Sequence, residues 1–238
     1  ITDDEERIKN IFYWVQDNIR YIAFEYGMMG FQPEACQSVF GNKYGDCKGM
    51  ANLTKQMLIL AGYDARLTWI GTNDLPYDYS LPSLIVDNHM ICTVYLNDTP
   101  IFLDATEKYA DLGIYAHRIQ GKQVLIEDGD TYIIDQIPVS DFTLNKEETT
   151  HELSIADDAK LIGSGALTFS GTRNAWLKYM LSNIPEKEWD KALSKYIGNS
   201  NKNITIAISE LHRLESRGAE VHLDYNMTIE KKIVNLGS

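Results

Sequence analysis

Hydrophobic residues recur at helical spacing near the start of the chain, directly after a run of polar residues. The polar run Thr2-Asp3-Asp4-Glu5 is typical of a capping box. The apolar side chains that follow recur every three or four positions, which places them on one helix face: Ile8, Ile11, Phe12, Val15 and Ile19. The pattern predicts an amphipathic helix that begins at the capping box and ends near Arg20.

A second helical pattern begins after Asp46 and has apolar residues on more than one side. These residues are Met50, Ala51, Leu53, Met57, Leu58 and Ala61. So broad an apolar band is typical of a central helix that is packed by several neighbours. We expect this helix to run from Cys47 to about Ala61 and to be closed by Gly62. Before it, the sequence predicts an extended piece at 21–26, a loop at 27–30 and a short helix between Pro33 and Gly41.

The middle of the chain changes to short apolar runs separated by turn residues, which is typical of β-strands. Strands are predicted at 65–71, 88–96, 100–104, 123–126 and 131–135. Between the first two, residues 72–87 form a long loop that holds Tyr77 and Tyr79. Loops of this length are often functional, so we place it at the rim of a cleft, although its tyrosines could equally be packing aromatics.

After Pro138 the order of elements changes, which indicates a second domain. Strands are predicted at 151–155, 161–169, 204–208 and 221–225, with two helices between them at 173–182 and 185–198. This half contains no cysteine and no clear catalytic cluster. We therefore expect an α+β fold with a catalytic core at 1–138 and a smaller, truncated β-rich module with two helices at 139–238.

Composition narrows the possible partners. The 238 residues include 34 acidic and 22 basic side chains, which gives a formal net charge of -12. This balance disfavours nucleic acids and anionic membrane surfaces as partners. No apolar run approaches the roughly 20 residues of a membrane helix. The chain begins in helical sequence without Met, so we expect it to be a piece of a longer protein.

The three cysteines do not suggest a disulfide framework, because their number is odd and no CxxC pair occurs. Cys36 is expected to be a small buried hydrophobe. Cys47 is different, because Asp46 is a good N-cap and puts this cysteine in the first turn of a helix. Backbone N–H groups without partners and the positive end of the helix dipole stabilise a thiolate there. Cys47 is therefore a candidate nucleophile.

A nucleophilic cysteine needs a base and a group that orients the base, and His89 and Asp104 are the candidates. If Asn97-Asp98 is a two-residue turn, Leu96 pairs with Thr99 and Ile91 lies opposite Asp104. His89 shares a face with Ile91, so His89 and Asp104 become diagonal neighbours within reach of a hydrogen bond. A three-residue turn would put them on opposite faces of the sheet. The hypothesis of a Cys-His-Asp triad therefore predicts the turn register.

Two other interpretations of these residues remain open. A lone histidine on a half-apolar strand is most often structural. A zinc site could use Cys36, Cys47, His89 and Cys92, but His89 and Cys92 point to opposite strand faces and no pair has ligand spacing. The sequence therefore favours a thiol site without a metal. The other histidines have no evident companions and are expected to be structural or at the surface: His117, His151, His212 and His222.

Three segments together resemble the transglutaminase-like superfamily: Tyr44-Gly45-Asp46-Cys47-Lys48 at a helix start, Asn88-His89 on a strand and Leu103-Asp104-Ala105-Thr106 at a hairpin end. The segments at 14–21 and 32–35 resemble its bacterial branch. The resemblance covers about residues 5–137. Residues after about 140 resemble the β-rich module that follows this core in bacterial multidomain members.

The resemblance implies a papain-like core in which the cysteine, histidine and aspartate of the triad follow in that order. It makes Cys47 the nucleophile, His89 the general base and acid, and Asp104 the orienting group. The oxyanion would be bound by the backbone N–H of Cys47 and by a side chain, for which Gln37 is the candidate. Ala105 stands where many relatives have proline, which does not affect this chemistry.

The expected function is thiol-dependent acyl transfer or hydrolysis at peptide or isopeptide amide bonds, as in a transglutaminase-like cysteine protease or amidase. The partner would be a protein or peptide substrate, and no cofactor is implied. Calcium is not implied either, since no D-x-D-x-D-G loop occurs. The resemblance favours an extracytoplasmic location. The alternative is a binding or scaffold protein that keeps the fold without turnover.

Overall fold

Helix α1 (Asp4–Asn18) of the computed structural model begins one residue later than the capping box predicted. The cap is Asp3, whose carboxylate accepts a hydrogen bond from the Glu5 N–H at 3.1 Å. The helix ends before Ile19, whose backbone is extended. Its apolar face is buried as the spacing predicted, with Ile8 and Val15 inaccessible to solvent.

The structure describes residues 3–23, 30–156, 159–215 and 217–233. The chain divides into two units, Ile1–Ser140 and Asp141–Ser238, which we call the first and the second domain. From the sequence, the boundary is predicted at residue 138, and the catalytic role of the first domain stays a prediction. Most of the predicted extended piece and loop at 21–30 lies outside the described residues.

Two short strands and a short helix precede the central helix. Strand β1 (Arg20–Tyr21) pairs in parallel with strand β2 (Tyr44–Gly45). Helix α2 (Cys36–Asn42) lies between them in the sequence. It was expected to end at Gly41, which instead lies inside the helix. The residue that ends it is Lys43, whose φ of 60° is in the left-handed region.

Helix α3 (Cys47–Leu60) agrees closely with the predicted central helix. Asp46 is its N-cap, and Gly62 follows its end with a φ of 95°. The helix packs against α1 and the neighbouring sheet through a buried apolar cluster that includes Met50, Leu53 and Leu58. The broad apolar band therefore reflects burial on more than one side.

Five antiparallel strands form the sheet of the first domain. They are β3 (Asp64–Ile70), β4 (His89–Leu96), β5 (Thr99–Leu103), β6 (Gln123–Asp128) and β7 (Thr131–Gln136), in the spatial order β5-β4-β3-β6-β7. The side chains of β4 are buried on both faces along most of its length. Cys92 and Val94 pack in the cluster with α1 and α3, whereas Ile91 packs in a second cluster on the opposite face.

The hairpin between β4 and β5 has the predicted register. Leu96 pairs with Thr99, and the two turn residues Asn97 and Asp98 have φ values of 50° and 61°. Both values are in the left-handed region, as a tight two-residue hairpin turn requires. The predicted two-residue turn is confirmed.

The tyrosines of the long loop at 72–87 do not line the cavity that contains Cys47 and His89. Tyr79 is buried, and its hydroxyl donates to the Asp87 carboxylate at 2.8 Å. Its ring meets that of Tyr77 edge-on, with 5.7 Å between the ring centroids. The interpretation as packing aromatics describes these residues better than a role at the rim.

The second domain is a four-stranded antiparallel sheet with two helices. Its elements are β8 (Glu147–Ile155), β9 (Leu161–Phe169), α4 (Gly171–Ser182), α5 (Trp189–Ile197), β10 (Ile204–His212) and β11 (Val221–Ile229), with the strand order β10-β11-β9-β8. The helices bury one sheet face around Leu177, Leu193 and Leu223. The predicted α+β fold is confirmed.

Three strands of the second domain, β8, β10 and β11, are longer than predicted, and the extension of β10 changes the surroundings of two histidines. Strand β10 continues to His212, where it pairs directly with His222 of β11. The two rings stack with 6.0 Å between their centroids. The expectation that His212 and His222 have no companions is therefore wrong.

Within the described ranges, no helix has the length and apolarity to cross a membrane.

Candidate active site

Cys47 is the first residue of α3, and the side chain of Asp46 caps the helix beneath it. The Asp46 Oδ1 accepts the Gly49 N–H at 2.8 Å, and its Oδ2 lies 2.5 Å from the Lys48 ammonium. Both side chains of this ion pair are buried. Because Cys47 is at the first helical position, its backbone N–H has no partner within the helix. The position therefore favours negative charge on or near the sulfur.

Glycines on both sides of this motif let helix α2 pack closely. A Cβ atom at Gly45 would lie 3.1 Å from a Val39 methyl group, and one at Gly49 would lie 3.0 Å from the other. Val39 is fully buried. The sequence Gly-Asp-Cys-Lys-Gly thus combines a cap, a candidate nucleophile and the close packing that holds the start of the helix in place.

His89 and Asp104 lie side by side, as the turn register predicted. His89 begins β4, and Asp104 directly follows the last residue of β5. The His89 Nε2 and the Asp104 Oδ2 are 2.8 Å apart, and both residues are almost fully buried. This contact occupies Nε2, so Nδ1 is the ring nitrogen that remains for the Cys47 side chain, whose interaction with the ring contributes to the raised pKa of His89.

The Asp104 carboxylate has hydrogen-bond donors on both oxygens. Its Oδ1 accepts the Thr106 N–H at 3.2 Å and the Thr106 hydroxyl at 2.6 Å. Its Oδ2 accepts from the Arg118 Nη2 at 2.9 Å as well as from His89. The carboxylate is therefore held in one orientation by several donors at once.

Arg118 belongs to the site, although the sequence analysis did not identify it. Its Nη2 also donates to the Thr106 hydroxyl at 2.9 Å, and its Nε donates to the Glu107 carboxylate at 2.7 Å. It lies in the irregular stretch between β5 and β6, where no hydrophobic periodicity fixes its direction. Only the two acidic side chains at 104 and 107 hint at a basic partner.

Charge interactions set the protonation of the pair. Burial of the His89 ring favours its neutral form, but the negative charge of Asp104 and the hydrogen bonds to Asp104 and Cys47 outweigh burial and raise the pKa of His89 to about 9. Burial would also raise the pKa of Asp104, but the charges of His89 and Arg118 and the bond from Thr106 hold it near 2. At neutral pH the ring is therefore cationic and the carboxylate anionic.

Cys47 and His89 line the same cavity, which has a volume of about 230 Å³. Its other lining residues are Gly30, Phe31, Lys48, Trp69 and Asn88. Asn88 is fixed by Thr72, because its Oδ1 accepts the Thr72 N–H at 3.0 Å and its Nδ2 donates to the Thr72 hydroxyl at 2.9 Å. The cavity gives a small polar group access to both side chains.

The structure does not bring Gln37 to the cavity. Gln37 is exposed on α2, and its Oε1 accepts a hydrogen bond from the Cys36 Sγ at 3.3 Å. The direction of the side chain depends on the position of residue 37 around the helix axis. The sequence does not show how that position lies relative to the cavity. Its role as an oxyanion donor stays a prediction.

The other cysteines do not join the site. Cys92 is fully buried, its sulfur packs on the opposite face of the sheet from the His89 ring, and burial raises the pKa of its thiol. Cys36 is partly exposed, and all three thiols are free. The rival zinc set is therefore not assembled, since Cys92 and His89 face away from each other.

The sequence model of the transglutaminase-like superfamily matches residues 1–105 of the chain. This segment includes Cys47, His89 and Asp104, and it ends just after β5. No curated protein is similar enough in sequence to match the chain.

One solved structure to which the chain is similar is a crystal structure named "putative protease from Parabacteroides distasonis". The sequence identity is 10% and the TM-score is 0.47. The match covers 97% of this chain and 47% of that one, so the chain spans about half the length of that protein.

Proposed function

We propose that Cys47, His89 and Asp104 catalyse acyl transfer or hydrolysis at peptide or isopeptide amide bonds, and the match of residues 1–105 to the transglutaminase-like superfamily supports this proposal. The observation that carries this proposal is the buried His89–Asp104 hydrogen bond beside a cysteine at a helix start. These are the nucleophile, base and orienting group that thiol catalysis needs.

In the proposed reaction, Cys47 attacks as a thiolate and His89 carries the proton. The thiolate attacks the amide carbonyl carbon, a C–S bond forms, and the backbone N–H of Cys47 donates to the resulting oxyanion. The tetrahedral intermediate then loses the amine, which takes the proton from His89 as the C–N bond breaks. A thioester to Cys47 remains.

Water or a second amine then resolves the thioester. The neutral His89 ring removes a proton from this second nucleophile as it attacks, and the Cys47 thiolate leaves. Asp104 holds the ring so that Nδ1 faces the sulfur throughout, and it stabilises the imidazolium form. Arg118 and Thr106 in turn fix Asp104.

The first test is site-resolved labelling with iodoacetamide at about pH 6 to 7, quantified by mass spectrometry of the peptides. We expect Cys47 to react at least about tenfold faster than Cys36, because the thiolate is the reactive form. Cys36 and the fully buried Cys92 are controls within the same molecule. If Cys47 reacts no faster than Cys36, the thiol is not activated and the proposed function is wrong.

The second test separates hydrolysis from acyl transfer. The protein is incubated with a peptide mixture, with and without an added primary amine, and Cys47→Ala is the matched control. Hydrolysis gives new carboxyl termini in both samples, whereas acyl transfer gives amine-linked products only when the amine is present. Products that also form with Cys47→Ala would contradict a role for this residue.

A further inference from the structure

Four side chains that can bind metals meet on the face of the second-domain sheet that the helices do not cover. Glu210 and His212 lie on β10, and His222 and Asp224 lie on the neighbouring β11. The strand register pairs His212 with His222 and Glu210 with Asp224. The four donors thus form two adjacent cross-strand pairs.

A β-bulge at Ser209 turns the β10 residues of this cluster outward. Apolar residues alternate up to Ile208, and the register then shifts by one residue before Glu210. Because side chains alternate between the faces of a strand, the extra residue moves Glu210 and His212 to the open face. Leu211 accordingly packs against the core of the domain.

The distances within the cluster suit a transition-metal ion. The His212 Nε2 is 2.8 Å from the Glu210 Oε2 and 3.6 Å from the Asp224 Oδ2. One ligand atom from each of these three residues lies within 4.8 Å of the others. Ligand atoms around a tetrahedral Zn²⁺ are roughly 3.4 Å apart, because the metal–ligand bonds are about 2.0 to 2.2 Å long. The distance from His212 to Glu210 is shorter than this value, and the distance from His212 to Asp224 is slightly longer.

His222 lies beside these three residues, and a hydrogen bond orients its ring. Its Nδ1 is 3.0 Å from the Thr168 hydroxyl, and its Nε2 is 3.2 Å from the Asp224 Oδ1. When Nδ1 donates to Thr168, the lone pair of Nε2 faces the carboxylate, and both atoms can then bind one metal ion. Metal-binding histidines usually donate their other ring N–H in this way. A proton on Nε2 would also satisfy the contact, which the experiment below decides.

We propose that Glu210, His212, Asp224 and His222 form a binding site for a divalent first-row transition metal of the Zn²⁺ type. Two imidazoles with two carboxylates suit Zn²⁺, Ni²⁺ or Cu²⁺ rather than Mg²⁺ or Ca²⁺, which prefer oxygen donors alone. The four side chains are 40% to 66% exposed, so the site is open to solvent.

A polar cavity adjoins this metal site at Asp224. It has a volume of about 300 Å³ and is lined by residues of all four strands, among them Thr150, Glu152, Ser164, Ser209 and Asn226. A metal ion held at Asp224 has room there for water or a polar external ligand. The surroundings of the proposed site therefore leave room for an external ligand next to Asp224.

The test is a calorimetric titration of the full chain with Zn²⁺. The starting protein carries Cys47→Ala, so that the thiol site does not bind the ion. We expect one equivalent to bind and His212→Ala or His222→Ala to weaken binding at least about tenfold. Thr168→Val, which removes only the orienting bond, weakens it as well. His117→Ala, which removes an exposed histidine of the first domain, leaves the affinity unchanged.

A second readout keeps the result interpretable if a variant is less stable. Zn²⁺ binds the folded domain and therefore raises its melting temperature, and this rise disappears in the His222→Ala variant. The proposal is overturned if His212→Ala and His222→Ala bind Zn²⁺ as tightly as the His117→Ala control. It is also overturned if the starting protein shows no saturable binding at millimolar Zn²⁺.

Discussion

Each domain brings histidine to aspartate, but the two arrangements differ in burial. In the first domain His89 and Asp104 are 2.8 Å apart, and their side chains are 3% and 6% exposed. In the second domain His222 and Asp224 are 3.2 Å apart, with side chains 40% and 41% exposed. The same two functional groups are therefore placed in very different surroundings.

The difference in burial changes what each pair can do. The carboxylate of Asp104 has donors on both oxygens, and its charge stabilises the His89 imidazolium where water is largely excluded. That pair is shielded from solvent, and it is suited to holding and moving a proton. Around Asp224 the partners are two imidazoles open to solvent, so an ion can enter between them. That pair is suited to exchangeable binding.

The largest expected effect is the loss of catalysis when the buried ring is removed. His89→Ala should lower the rate of amide cleavage by about 10²- to 10⁴-fold, because the site loses its general base and acid. His117→Ala is the matched control, since it removes an exposed histidine of the same domain. Initial rates with a peptide found in the screen above give the measurement, and equal rates for the two variants would refute the proposed role.

Removing the carboxylate should be costly for stability only in the buried pair. Asp104→Ala leaves the cationic His89 and the Arg118 Nη2 without their acceptor, and we expect a loss of about 3 kcal/mol in the free energy of unfolding. Urea denaturation followed through Trp14 and Trp69 measures it, in a background of Trp176→Phe and Trp189→Phe that silences the second domain. A loss below about 1 kcal/mol would mean that the buried pair contributes no more to stability than a solvent-exposed ion pair does.

The pH dependence of stability should come from the buried pair. Since folding raises the pKa of His89 from about 6.5 to about 9, its contribution is complete below about pH 6.5 and is lost as the pH rises through 9. We expect the first domain to lose on the order of 3 kcal/mol between about pH 6 and pH 10 through this group. The same urea experiment with His89→Gln should lack that loss. An equal loss in the variant would assign it to other groups.

The smallest effect is expected at the exposed cluster. In the presence of a chelator, Glu210→Gln should change the stability of the second domain by less than about 0.5 kcal/mol, because exposed ion pairs contribute little. Urea denaturation followed through Trp176 and Trp189 tests this, with Trp14→Phe and Trp69→Phe as background. A loss as large as that of Asp104→Ala would remove the contrast between the two domains.

The sequence could predict the buried pair because its geometry follows from local rules. The capping role of Asp46 places Cys47 at a helix start, and the turn at Asn97-Asp98 determines which face His89 shares with Asp104. Both features depend on residues close together in the chain. The α+β fold and most elements follow from hydrophobic spacing in the same way.

The parts that the sequence could not supply depend on irregular backbone or on a side-chain direction. Arg118 reaches Asp104 from a stretch without periodicity, and Gln37 is exposed on its helix and is not among the residues that line the cavity. The histidine pair of the second domain arises from the bulge at Ser209, which shifts the faces of β10. The break in apolar alternation after Ile208 was the only local sign of it.

The most direct test of the account is an NMR titration of the His89 ring in the wild-type chain and in the Asp104→Asn variant. The account predicts a cationic ring at neutral pH, with a pKa of about 9 in the wild type, and a clearly lower pKa when the negative charge at 104 is absent. A His89 ring that is neutral at pH 7, or that titrates identically in both proteins, would contradict the proposed activation of Cys47.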